Sequence, residues 1–321
     1  MTTLTASRQR YLPILATLAL LIGAYGYGAA SYESFADPQV ILNILIDNAF
    51  LLVVAAGMTF VILSGGIDLS VGSVVALSTL VSAKLLGHGW PPVAVILVVL
   101  VIGAGLGLGM GAVIHFFELQ PFVVTLAGMF LARGLCYTIS TAAIPITDPF
   151  FTNVAQTSVP LPGDLHVSIG VVIALVVVAV GVLVLHYTRF GRTVYAVGGS
   201  EQSAMLMGLP VGRTKILVYT VSGFCSALGG LLLALYTLSG NPLHAIGMEL
   251  DAIAAVVIGG TILAGGSGYV LGTVLGVTVL GMIQTLITFD GTLSSWWTRI
   301  VIGALLFLFI VLQRLVTRRT R

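Results

Sequence analysis

Charge is what this sequence has least of: 7% of its 321 residues are Asp, Glu, Lys or Arg, against about 25% in a soluble domain. A chain so poor in charge cannot cover a water-facing surface with polar groups. Cysteine is nearly absent too. Cys136 and Cys225 both lie within apolar runs, which excludes a disulfide framework and any metal-ligand spacing. Lysine occurs only at Lys84 and Lys215, and neither stands in G-x-x-x-x-G-K-[ST], so the chain has no phosphate-cradling loop. The histidines, His88, His115, His166, His186 and His244, are scattered near the ends of apolar runs with no metal-binding pair among them. No G-x-S-x-G or Cys/His pairing supports a nucleophile. The basic residues form no soluble patch, which argues against nucleic acid as a partner.

What is present is apolar: 58% hydrophobic residues and a mean hydropathy of +1.13. The apolar runs are about 20 residues long, the length of a helix across a hydrocarbon core. Backbone groups in lipid must be bonded within the chain, so spans are helices or closed barrels. Barrel strands alternate over about 10 residues, and these runs do not. The expected fold is all-α, a polytopic transmembrane helix bundle in one domain, 1–321. About ten spans fall near 11–30, 39–64, 70–87, 92–117, 121–143, 168–187, 213–238, 249–265, 269–289 and 296–314. The first reads as an uncleaved span following Arg8 and Arg10. Half-helices are expected near 65–72 and 249–266, where glycines flank short runs. Basic residues collect in cytoplasmic loops. With both termini inside, Arg8, Arg10, Arg189, Arg192, Arg213, Lys215, Arg314, Arg318, Arg319 and Arg321 all fall on the cytoplasmic side.

Glycine recurs at helical spacing. Gly103, Gly107 and Gly111 form one row, Gly105 and Gly109 another, and Gly268, Gly272 and Gly276 a third. Such rows let helix backbones approach closely in lipid, within one subunit or across a dimer. Ile62-Leu63-Ser64-Gly65-Gly66 is echoed by Ile262-Leu263-Ala264-Gly265-Gly266, as a parallel internal repeat or as coincidence in Gly-rich sequence.

Asp47, Asp68, Arg133 and Asp251 are the ionisable residues expected inside spans. A charge at the bilayer centre costs roughly 2.5–3.5 kcal/mol on insertion scales. Arg133 is therefore expected to pair with Asp47 or Asn48, which helix rise places at a similar depth, either as a clamp between spans or in the substrate path. Gly65-Gly66-Ile67-Asp68 is expected to break the second and third spans, with Asp68 capping the helix after it. In the loop 188–212, Ser200 is a cap, Glu201 suits a first turn, and Gly208 and Pro210 stop the helix. The resulting helix over 201–208 offers Ala204, Met205, Leu206 and Met207 to a partner groove or to the membrane surface.

Several segments resemble the permease subunits of ribose-type ABC sugar importers: Gly65-Gly66-Ile67-Asp68-Leu69-Ser70-Val71-Gly72-Ser73, then Pro121-Phe122-Val123-Val124-Thr125-Leu126-Ala127-Gly128-Met129 with Arg133-Gly134, then Tyr195-Ala196-Val197-Gly198-Gly199, then Ile258-Gly259-Gly260-Thr261-Ile262-Leu263-Ala264-Gly265-Gly266. They occur in family order across nearly the whole chain. Asp47-Asn48-Ala49-Phe50, Gly57-Met58-Thr59-Phe60-Val61-Ile62-Leu63 and the segment 289–297 look most like the permease of bacterial galactofuranose importers. The resemblance implies a bacterial cytoplasmic membrane protein with no covalent chemistry and no cofactor of its own. ATP-Mg would be bound by a cytoplasmic ATPase subunit, sugar delivered by a periplasmic or lipid-anchored binding protein, and the pathway shared with a second permease, paralogous or identical. It further implies that Glu201, Ala204, Met205 and Gly208 belong to the element that couples to the ATPase. Asn48, Thr59, Asp68, Ser70, Thr125 and Gln284 are polar positions that would meet sugar hydroxyls or satisfy helix backbone. An ion-coupled sugar carrier is the alternative, although no relay of carboxylates and histidines threads one helix face.

Overall fold

The computed structural model describes residues 3–294 and 296–318, and the side chains of 14–294 and 296–313. It is a bundle of α-helices: α1 (Thr3–Ser31), α2 (Pro38–Asp47), α3 (Ala49–Leu63), α4 (Val71–Gly87), α5 (Pro92–Phe116), α6 (Pro121–Ile139), α7 (Pro149–Gln156), α8 (Ile169–Tyr187), α9 (Arg189–Gly199), α10 (Glu201–Leu206), α11 (Val211–Thr237), α12 (Met248–Ile258), α13 (Val270–Asp290) and α14 (Trp296–Arg318). Two two-stranded ribbons complete it. Ile144–Pro145 (β1) pairs with Ser239–Gly240 (β4), and Ser158–Leu161 (β2) with Leu165–Ser168 (β3).

Each expected span is a helix, but not every one is a full crossing. Among the described residues seven helices are long and apolar enough to cross a membrane, and the bent pair α2 and α3 makes an eighth. That pair turns through 61° at Asn48. The segment 70–87 is the 17-residue helix α4. The segment 249–265 is reduced to the 11-residue α12, because Gly259 and Gly260 end the helix midway. The Gly-Gly break also forms as expected: α3 stops at Leu63, Gly65 takes φ +83°, and α4 starts at Val71.

The helix ends sort onto two faces. On one, Gln39 Nε2 donates to the His166 carbonyl (3.0 Å), Ile146 N to the Leu238 carbonyl (2.8 Å) and the Tyr32 hydroxyl to Asp290 (3.3 Å). On the other, Gly266 N donates to the Leu63 carbonyl (2.9 Å), and His115 lies against Gly212. Arg189, Arg192, Arg213 and Lys215 belong to this second face, which the positive-inside rule makes cytoplasmic. Helix α1 reaches the outer face at its C-terminal end, and α14 leaves from it, so the start of α1 and the end of α14 lie toward the basic side.

Helix α11 is the central post, packed against α3, α4 and α5. Helix α3 is apolar all round and accordingly buried along nearly its whole length. The glycine rows separate cleanly. A Cβ at Gly103, Gly107 or Gly111 would run into the α11 backbone at Gly223, Tyr219 or Ile216, whereas Gly105 and Gly109 have nothing within 4 Å. The first row therefore packs helices within this subunit. The third row meets α12, with Gly272 and Gly276 against the Gly259 and Ala255 carbonyls.

Replacement of Gly107 by Val should destabilise the fold by about 1–3 kcal/mol through overpacking. Gly105→Val and Gly109→Val should stay within about 0.5 kcal/mol of the parent, as surface changes do. Thermal unfolding of the purified protein in detergent distinguishes the two classes, and equal losses at all three sites would contradict the packing described.

Candidate functional site

The polar side chains of the bundle fall into two groups, one buried around the Gly-Gly break and one open to a cavity on the outer face. In the first, Asp68 is fully buried. Its Oδ1 accepts from Ser70 N (2.9 Å) and Ser70 Oγ (2.6 Å), and its Oδ2 from Ser222 Oγ of α11 (2.7 Å). The expected Asp68 bond to the Ser70 N–H forms one residue before α4, where Ser70 is the N-cap residue and makes no side-chain cap bond of its own. Asp68 is also an anchor to the central post. Thr125 of α6 donates its hydroxyl to the Pro121 carbonyl (2.9 Å) and lies 3.2 Å from the Ile67 carbonyl. Thr59 of α3 bonds the Ala55 carbonyl and shares a 2.8 Å hydrogen bond with Thr273 of α13. Thr59, Asp68, Ser70 and Thr125 are thus all buried and engaged with protein partners.

The second group surrounds a cavity of about 860 Å³ between α2, α12, α13 and α14, with Tyr236 of α11 at its edge. Asn48 and Gln284, of the six expected pathway residues, line it, and so does Asp47. Asn48 sits at the bend between α2 and α3, donates to the Ile44 carbonyl (2.9 Å) and fills the space left by Gly281 of α13. The carboxylate of Asp47 accepts from the Tyr236 hydroxyl at 2.9 Å. An ion pair, Arg299 to Asp251 at 2.7 Å, spans from α14 to α12 across the same cavity. Trp296 adds an aromatic wall. Tyr236, Arg299 and Trp296 escaped the sequence reading because each lies near a helix end, where an interfacial role is ordinary. Asn43 with Asp47 and Gln284 with Thr288, each pair four apart on one helix face, were the available signal.

The expected pairing of Arg133 with Asp47 or Asn48 does not form. The Arg133 Nη1 instead donates to the Pro242 carbonyl (2.5 Å) and the His244 carbonyl (2.9 Å) in the strap 239–247 that joins α11 to α12. The two project from helices with different neighbours: α6 packs on α4 and α5, whereas α2 packs on α8 and α13. Helix α6 also ends at Ile139, four residues short of the expected 143. The strap has no helical ladder to occupy its carbonyls, and a guanidinium offers several donors to one patch of them. Arg299 serves the far end of this strap, beside Gly247.

On the cytoplasmic face, α10 is capped as expected, Ser200 Oγ accepting from Ser203 N at 3.2 Å. Gly208 takes φ +73° and its N–H bonds the Met205 carbonyl (2.9 Å). Glu201 pairs with Lys215 at 2.6 Å. The helix itself ends at Leu206, two residues short of the expected 208. Met205, Leu206 and Met207 are exposed, Leu206 to 84%. Ala204 is not available to a partner. It is buried against Val197 and Val211, since it occupies the inward face of so short a helix.

Because Arg133 and Asp47 contact different groups, their truncations should not interact. Arg133→Ala and Asp47→Ala should combine additively within about 0.5 kcal/mol in a double-mutant cycle of unfolding. A coupling well beyond that would restore the direct pair.

Comparison with known proteins accords with this arrangement. Residues 40–310 match the family model described as branched-chain amino acid transport system / permease component. The chain is 48% identical over 307 residues to the inner membrane ABC transporter permease protein YjfF of Escherichia coli K12, covering 95% of this chain and 93% of that protein. It is 42% identical to the fructose import permease protein FruG of Bifidobacterium longum, over 96% of this chain and 92% of that one. It is 41% identical to the ribose import permease protein RbsC of Bacillus subtilis, over 88% and 86%. No solved structure matches the chain. A helix bundle matched over most of its length by ABC import permeases belongs to the ABC transporter permease family, in the branch of the ribose-type sugar importers.

Proposed function

We propose that this permease carries a monosaccharide, galactofuranose, inward across the bacterial cytoplasmic membrane, as one half of a pathway completed by a second permease subunit. A cytoplasmic ATPase drives it and an outer binding protein supplies the sugar. The observation that carries the reading is α10: a short, capped helix on the basic face that turns Met205, Leu206 and Met207 to solvent. Contiguous exposed apolar residues mark an interaction surface, and flexible Met side chains suit a groove on another protein. The outer cavity suits sugar entry. Gln284, Asp47 and Thr288 offer hydroxyl partners and Trp296 a flat apolar face. Hydrogen-bonding groups that stay wet give weak sites, which a transporter needs for release.

With the ATPase and binding protein present in proteoliposomes, labelled galactofuranose should enter only when ATP is supplied, and D-ribose and D-fructose should enter poorly. Uptake under an ion gradient without the ATPase would establish a carrier instead. Leu206→Asp should leave the folded permease intact yet prevent the ATPase from co-purifying with it. Retention of the ATPase by that variant would remove α10 from the docking surface.

A further inference from the structure

The internal echo of the sequence has a structural outcome. Residues 62–66 and 262–266 lie against each other on the cytoplasmic side, and a third double glycine, Gly198-Gly199, lies between them. A Cβ at Gly198 would overlap the Leu63 carbonyl and stand 2.6 Å from Gly266 N. One at Gly265 would stand 2.8 Å from Gly65 N, and one at Gly266 2.8 Å from the Gly199 Cα. Gly65, Gly265 and Gly266 have φ of +83°, +88° and +75°, a region that side chains disfavour. The Gly266 N–H donates to the Leu63 carbonyl at 2.9 Å. The Tyr195 hydroxyl of α9 donates to the Gly268 carbonyl at 2.7 Å, a second tie across the same place.

From this we infer that the three glycine pairs form a backbone junction through which displacement of α10 reaches the helices lining the outer cavity, and that Gly198, Gly266 and Tyr195 are positioning residues for transport. Only Ser200 separates α9 from α10, so the two move together. The C-terminal turn of α9 presses main chain on main chain, with no rotamer to absorb a shift. Beyond the junction, α3 runs back to Asn48, and α13 runs from Val270 to Gln284, about 21 Å away at the rise of a helix. Both of those residues line the outer cavity. The inference rests on the reading of α10 as the ATPase-docking element.

The test measures sugar moved per ATP hydrolysed, using labelled galactofuranose, D-ribose and D-fructose on the complete complex in proteoliposomes. Gly198→Ala should lower that ratio roughly ten-fold while the ATPase still co-purifies. Ala is the better helix former, so a loss there does not reflect helix propensity. Gly199→Ala is the matched control. Its added methyl has open space, and the ratio should hold. If Gly198→Ala does not reach the membrane, Tyr195→Phe keeps the ring and deletes only the hydroxyl tie, and it should lower the ratio with assembly intact. An unchanged ratio in Gly198→Ala, or in Tyr195→Phe where the first variant is absent, overturns the junction. A wild-type complex that hydrolyses no ATP during uptake, or retains no ATPase, overturns the reading of α10 instead.

Discussion

Peptide groups within hydrocarbon have no water to bond, and the architecture follows from how this chain meets that demand where its helices stop. Two stretches, 64–70 and 259–269, lie outside the helical ladder where the helices pack at the cytoplasmic side of the bundle. Their groups are paired locally and with one another: Gly66 N with the Val61 carbonyl (3.0 Å), Ile262 N with the Ser267 carbonyl (2.9 Å), Gly266 N with the Leu63 carbonyl (2.9 Å). Such mutual pairing requires main chains in contact, and only glycine permits it. The cluster of glycines at 65–66, 198–199 and 265–266 is thus the condition for having two breaks side by side.

The same demand sorts the polar side chains. Asp68 is a buried carboxylate, costly on its own, but three donors converge on its oxygens. It joins the first break to α11, as Thr125 joins it to α6. Removing one partner from such a set leaves the others unsatisfied, which costs more than the net gain of the bond itself. Asp47 and Gln284 are placed differently. Both are exposed to the outer cavity, where they keep capacity for a further hydrogen bond. Burial with a full set of partners and exposure with spare capacity are opposite states, and they divide residues tied to the protein from those open to the outer cavity more sharply than residue type does.

Element positions were legible because they depend on local signals. Apolar run length located the helices, the Gly-Gly pair located the break, and Ser200 and Gly208 bounded α10 at its start and in its terminal turn. What escaped depends on azimuth. Arg133 and Asp47 project from helices with different neighbours, and rise per residue carries no information about that. Ala204 was misjudged for the same reason, since one turn of helix has an inner face that only the packing of Val197 and Val211 defines. Four of the six expected pathway residues turned inward to protein. Thr59 and Thr125 did so because a hydroxyl in an apolar run fits a helix carbonyl as readily as a ligand. Ser70 and Asp68 did so because they bond each other and, through Asp68, Ser222. Spacing did not separate the glycine rows either: Gly103, Gly107 and Gly111 pack on α11, whereas Gly105 and Gly109, equally spaced, have nothing within 4 Å.

Helix α10 would not persist alone, since a helix of 6 residues is far below the length that is stable in water. Its exposed ion pair with Lys215 is worth at most about 1 kcal/mol, so the cap at Ser200, the turn at Gly208 and the burial of Ala204 hold it. Of these, the Ala204 contact faces the bundle, while Met205, Leu206 and Met207 are exposed. The ridge is therefore presented by a support that is itself fixed to α9 and α11. A force on the ridge meets no flexible linker before it meets the end of α9, and there the contact is main chain against the two breaks. Geometry of this kind converts a small rigid shift at the surface into a shift of whole helices, because close-packed backbone cannot yield by changing rotamers.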